Sequence, residues 1–187
     1  MACVLDDDKW YLFGGTTSAT LNTSNLWCFN FTKEEWTLIK PTSGLIPPPL
    51  DSCSACLYKA DDGRSYIVVF GGFVGGTRGE YWNQVLYFDI ASKRWILPYS
   101  NENEMEYDSE YAPAPRCGHS ATIYNNKMYI FGGTNGEFRF NDIWVFDLVR
   151  KSWEKINTKE NPPVISLFYN SLIINFLAKK WTYSSII

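Results

Sequence analysis

Histidine is nearly absent from this sequence: His119 is the only one among 187 residues. That scarcity argues against the common zinc sites, which draw several His and Cys ligands together. Cysteine is sparse and odd in number, at Cys3, Cys28, Cys53, Cys56 and Cys117, so a disulfide framework is not expected. Cys53-Ser-Ala-Cys56 has the spacing of a metal or redox pair, but no second pair exists. On a strand, residues three apart also point to opposite faces. A Ser/His/Asp relay meets the same shortage, because His119 and Ser120 are neighbours whose side chains would diverge on a strand. No metal and no cofactor is expected.

Charge of one sign is lacking too. Seventeen basic and twenty acidic residues leave a net charge of −3, which favours neither nucleic acid nor an anionic membrane as a partner. The apolar run from Val164 to Ala178 is broken by two Asn and two Ser and falls short of the ~20 residues that a membrane helix needs. Asp6, Asp7 and Asp8 do not fit a signal peptide of the usual form, so none is expected and a reducing, cytoplasmic setting is the expectation. Residues 71–79 are glycine-rich, yet they lack Lys-Ser/Thr and a following helix, which makes a poor phosphate loop.

What the chain has in abundance is aromatic residues, at 17%, a composition that suits sheets more than helices. It also repeats itself. Phe-Gly-Gly occurs at Phe13-Gly14-Gly15, Phe70-Gly71-Gly72 and Phe131-Gly132-Gly133, roughly 60 residues apart. After each pair comes a loop, then a strand ending in Asn30, Asp89 or Asp147, and a tryptophan six positions later: Trp36, Trp95, Trp153. Four short apolar runs per unit, divided by turn residues, read as four strands, and repeats of this kind read as propeller blades. The diglycines would end buried strands where a neighbour presses close, and the acids would accept backbone N–H bonds at the last turn. The tryptophans would fill the wedge between blades.

The third unit runs Pro115-Arg-Cys-Gly-His-Ser120, Met128-Tyr-Ile-Phe-Gly-Gly133, Asn141-Asp-Ile-Trp-Val-Phe-Asp147 and Trp153. This resembles a kelch repeat nearly throughout; the first two units keep the diglycine, the acid or amide, and the Trp. The resemblance implies an all-β, kelch-type β-propeller fold, here partial, with blades at about 2–41, 53–98 and 117–157 in a fragment spanning 1–163. Residues 164–187 read as a degraded fourth repeat, with Leu177-Ala178 where a diglycine should stand. Three blades and a remnant fall short of the four to eight that close a ring, so further blades from a longer chain or another subunit are expected. Galactose-oxidase-like enzymes also use such propellers, but their copper site needs two histidines.

A non-catalytic module that binds another protein is therefore the expected function. The alternatives are the propeller portion of a larger enzyme or signalling protein, and a decayed gene product. Second-to-third-strand loops and blade connectors share one propeller face, and there they are long: 16–25, 73–84, 134–141, 42–52 and 99–116. Partner contacts are expected from Arg78, Tyr81 and Trp82, from Phe138 and Arg139, and from Arg116 and His119 at the lead-in to the third unit. For His119, a hydrogen bond to neighbouring backbone is the favoured role.

Overall fold

The computed structural model describes residues 1–18, 21–75, 79–98 and 111–158, and among these there are strands but no helix. The first blade is β1 (Ala2–Asp6), β2 (Lys9–Phe13), β5 (Leu26–Asn30) and β6 (Glu35–Ile39), antiparallel and in that order. A small hairpin of β3 (Thr16–Ser18) and β4 (Leu21–Asn22) stands between its second and third strands. The second blade is β9 (Ser54–Lys59), β10 (Ser65–Val74), β11 (Glu80–Asp89) and β12 (Arg94–Ile96). The third is β13 (Ser120–Tyr124), β14 (Lys127–Phe131), β15 (Ile143–Asp147) and β16 (Ser152–Ile156). The innermost strands β1, β9 and β13 lie side by side in turn. The architecture is a partial β-propeller whose three blades do not close a ring. The expected remnant at 164–187 lies outside the described residues.

The connector between the first two blades also joins the sheet. Its β7 (Ser43–Gly44) pairs in parallel with β12, and its β8 (Leu50–Asp51) pairs with the far end of β10. Thr42 secures the first of these, donating its hydroxyl to the Ser92 carbonyl at 2.8 Å.

The period-two alternation of strands explains the packing. In β10, Ile67 and Val69 face the first blade while Val68 and Phe70 face the third; in β11, Leu86 and Phe88 divide from Val85 and Tyr87 in the same way. The middle blade is therefore apolar on both faces, and each seam between blades is a hydrophobic core. Trp95 fills the first seam, 1% exposed, against Phe13 and Phe88 at 4.9 and 5.1 Å. Trp153 sits in the second, against Phe70 and Phe146 at 5.0 and 4.9 Å. Trp36 differs: it is 48% exposed and meets Phe29 and Trp10 of its own blade, filling no wedge between described blades.

The turn acids act through hydrogen bonds to backbone. Asp147 Oδ1 accepts from the Val149 and Arg150 N–H groups at 2.9 and 2.8 Å, and Asp89 Oδ1 from Ala91 and Ser92 at 2.9 and 3.1 Å. Asn30 does the same with Lys33 at 2.7 Å. All six repeat glycines, Gly14, Gly15, Gly71, Gly72, Gly132 and Gly133, have positive φ, between 64° and 112°. The first two glycine pairs let the lead-in of the following unit cross the strand end, while Gly133 lies against Cys117 and His119 of its own unit. The Gly15 N–H donates to the Leu50 carbonyl and the Gly72 N–H to the Arg116 carbonyl, both at 2.8 Å.

Two expectations need correcting. Residues 73–84 do not form a long loop: β10 and β11 run ten residues each, past a bulge between Phe70 and Gly72, so Tyr81 and Trp82 are strand residues. Cross-strand pairing of Phe73 with Tyr81, rings 4.9 Å apart, extends the hairpin beyond the diglycine. The second correction concerns Arg116 and His119, expected as partner contacts: Arg116 is fully buried and His119 is 8% exposed. The Arg116 carbonyl occupies the position that Leu50 holds in the preceding unit, and Leu50 is also fully buried.

Candidate functional site

Antiparallel topology places the β3–β4 hairpin, the β10–β11 tip and the 134–139 loop at one end of the blades. They are tied to one another. Asn22 Nδ2 donates to the Phe73 carbonyl at 3.0 Å, joining the first hairpin to the second. Tyr81 closes on Gly136, where a Cβ would lie 2.6 Å from the phenol oxygen, joining the second to the third loop. The long-loop face is thus one continuous surface across three blades.

The 134–139 loop is held by its own polar residues. Thr134 exchanges backbone hydrogen bonds with Cys117 at 2.9 and 3.0 Å, and its hydroxyl donates to the Phe138 carbonyl at 2.7 Å. Asn135 Oδ1 accepts from the Glu137 and Phe138 N–H groups at 3.2 and 2.8 Å. This is the Asx-type turn that fixes short loops without a core. It directs Phe138 to solvent, 58% exposed, with Arg139 exposed beside it. Arg139 has no ion-pair partner among the described residues. An aromatic ring and a free guanidinium on a rigid loop can bury area and form bidentate hydrogen bonds with little entropy to lose.

The other expected contact residues divide. Tyr81 is half-buried and reaches this face through Gly136. Trp82 is half-buried and packs on the core of the first seam. Arg78 lies outside the described residues. Arg116 and His119 lie inside the second seam. The Arg116 guanidinium grips Asp142 through both oxygens, at 2.6 and 3.1 Å, donates to the Gly132 and Ala114 carbonyls at 2.9 and 3.0 Å, and lies 4.1 Å from the centre of the Phe140 ring. Burial alone would raise the Asp142 carboxyl. The hydrogen bonds and charge of Arg116, with a 2.8 Å bond from the Trp144 indole, hold it below the usual carboxylate range. Asp142 and Phe140 escaped the sequence reading. The available signal was the Asp two residues before Trp144, in a motif taken only as a repeat marker.

His119 brings one arrangement that resembles a nucleophile and its base. Its Nε2 is 2.8 Å from Ser54 Oγ, a partner in another blade that sequence adjacency could not reveal. The resemblance ends there. His119 Nδ1 is buried with no hydrogen-bond partner, so no carboxylate orients the ring. Burial, and then the charge of Arg116, push the imidazole down to about 3, far too weak a base to take a serine proton near neutrality. The ring packs edge-on to Phe70 at 5.0 Å and serves as core. Cys53 and Cys56 are likewise buried, their thiols pushed up to about 12 by desolvation. Among the described residues no group of three or more His, Cys, Asp or Glu could hold a metal, and no helix is long and apolar enough to cross a membrane.

Blade count, diglycine crossings and tryptophan seams agree with a comparison to known families: the KLHDC2/KLHL20/DRC7 Kelch-repeats domain matches residues 1–175. The chain belongs to the kelch-repeat family. Kelch relatives include Tip elongation aberrant protein 3 of Schizosaccharomyces pombe, 29% identical over 83% of this chain. Host cell factor 1 of Homo sapiens is 39% identical over 49% of the chain, and Host cell factor 2 of Homo sapiens 31% over 67%. The kelch segment spans 15%, 4% and 16% of those three proteins respectively, so their whole activities are not carried over with it.

Proposed function

We propose that this kelch segment is a non-catalytic module that docks another protein on its long-loop face, with Phe138 and Arg139 as central contacts and Tyr81 supporting them. The observation that carries the reading is the 134–139 loop, whose internal hydrogen bonds spend its polar groups on rigidity and leave the ring and guanidinium to solvent. Membership of the kelch-repeat family supports a binding role in general. The buried Arg116 and His119 stabilise the face from beneath and make no direct contact.

Affinity capture with the full chain tests this. Phe138→Ala and Arg139→Glu should each weaken the captured partner by about 30-fold, the scale of an interface hot spot. Arg64→Glu, in the β9–β10 turn at the opposite end, should leave capture unchanged. Equal capture by all three variants would overturn the proposal.

A further inference from the structure

The middle blade breaks the repeat at its short-turn end. Tyr66 pairs with the turn residue Asp89, as Lys9 pairs with Asn30 in the first blade and Lys127 with Asp147 in the third. A lysine position of the repeat is thus a tyrosine here. Its ring stacks on Tyr58 at 6.2 Å and meets Tyr87 edge to face at 5.7 Å. Lys151 differs from its own counterparts in the opposite sense. It stands four residues after Asp147, as Glu34 follows Asn30 and Lys93 follows Asp89, and all three have positive φ, at 60°, 55° and 53°. Glu34 and Lys93 are exposed, whereas Lys151 is half-buried. Its Nζ donates to the Tyr87 hydroxyl at 2.9 Å and to the Leu148 carbonyl, and lies 4.1 Å from the centre of the Tyr87 ring. Across the second seam these residues line an open cavity of about 420 Å³, with the three tyrosines on one side and Leu148 and Lys151 on the other. The acids at its rim are already engaged: Asp62 accepts from Arg64 Nε at 2.8 Å, and Asp61 from Asn126 Nδ2 at 3.3 Å. Lys151 makes no ion pair among the described residues. Burial pushes its ammonium below the ordinary lysine value, with the charge of Asp147 opposing.

We propose that this cavity binds a small carboxylate with a flat apolar body, its ring against the tyrosines and its carboxylate on Lys151. The volume and the lining are those of a small-molecule site, largely aromatic and apolar with one charged group to fix orientation. An ammonium has three donors, and two are spent on Tyr87 and Leu148. A carboxylate supplies the missing counter-charge and a charge-assisted acceptor for the third. A cationic ligand fits poorly, because Lys151 already holds the cation–π position on Tyr87. Asp61 and Asp62 at the rim repel polyanions such as nucleotides and leave a single carboxylate as the favoured charge. The ligand touches both blades, so binding also stabilises the seam. The site lies at the end of the blades opposite the long-loop face and does not depend on the docking proposed there.

Titration of the full chain with 2-naphthoate, followed by backbone amide shifts in NMR, tests this. Saturable shifts should centre on Tyr66, Tyr87 and residues 148–151. The uncharged 2-naphthamide should bind about tenfold more weakly, since it lacks the ion pair. Lys151→Met keeps the aliphatic stem and should weaken naphthoate by a similar factor while leaving naphthamide unchanged. That unchanged arm, with a native amide spectrum, separates a lost charge from a damaged fold. Tyr66→Ala should weaken both ligands several-fold. Equal binding of naphthoate and naphthamide would overturn the proposal, as would naphthoate binding that survives Lys151→Met. Tighter binding of 2-naphthylmethylammonium would mark a cation site and overturn it too. So would the absence of saturable shifts by about 10 mM naphthoate, which would show the cavity closed to ligands.

Discussion

Arg116 shows how burial changes the meaning of a residue. Its guanidinium makes hydrogen bonds to one carboxylate and two carbonyls, so removal leaves the half-buried Asp142 carboxylate without its counter-charge and with the Trp144 indole as its remaining side-chain partner. Arg116→Ala should therefore cost about 3–5 kcal/mol in denaturant unfolding. Because Leu50 takes the same place in the preceding unit, Arg116→Leu combined with Asp142→Asn should cost much less than Arg116→Ala alone. His119 makes a pH prediction. Its folded value of about 3 lies below its ordinary 6.5, so its contribution to stability is complete above pH 6.5 and is lost as pH falls toward 3. Chemical denaturation should show stability falling with a slope of up to about 1.4 kcal/mol per pH unit in that window. His119→Phe should flatten the part of the slope above pH 5, where the carboxylates remain ionised.

Strand ends and turns are set by backbone geometry more than by side-chain area. A Cβ on Gly71 would lie 2.7 Å from both the Arg116 carbonyl oxygen and His119 Cε1, at a φ of +64°. Gly63, at +81°, has nothing within 4 Å. Gly71→Ala should cost about 2–5 kcal/mol, the sum of left-handed strain and overpacking, and Gly63→Ala only about 1–2 kcal/mol of strain. Thermal unfolding of the two alanine variants separates the contributions. The strand carrying Cys56 and the crossing that carries Cys53 are equally closed to reagents. Iodoacetamide should label exposed Cys3 in the native protein and reach Cys53 and Cys56 only on unfolding.

Stability of the whole molecule rests on its seams, because each blade is a thin sheet that gains its core only from a neighbour. Trp95→Ala should cost about 3–5 kcal/mol, since the indole is enclosed by two blades. Phe13→Ala should be strongly non-additive with it, with a coupling of about 0.5–3 kcal/mol in a double-mutant cycle, because the rings touch across the seam. A coupling near zero would mean that the blades unfold independently.

The amino-acid sequence by itself determined the repeat, the strand content and the turn chemistry. Diglycines, turn acids and alternating apolar residues are local instructions, readable wherever they stand in the chain. The exposed loop at Phe138 and Arg139 was legible for the same reason, since its Thr and Asn residues bond within a few positions. Only the tertiary structure decided which residues lie in a seam. Arg116 turns inward onto Gly132, Phe140 and Asp142, 16 to 26 residues further along its own unit, His119 finds Ser54 across the seam, and Trp36 meets no neighbouring blade among the described residues although it carries the same motif as Trp95. Burial belongs to the neighbour as much as to the residue, and a neighbouring blade is not encoded in the segment it covers.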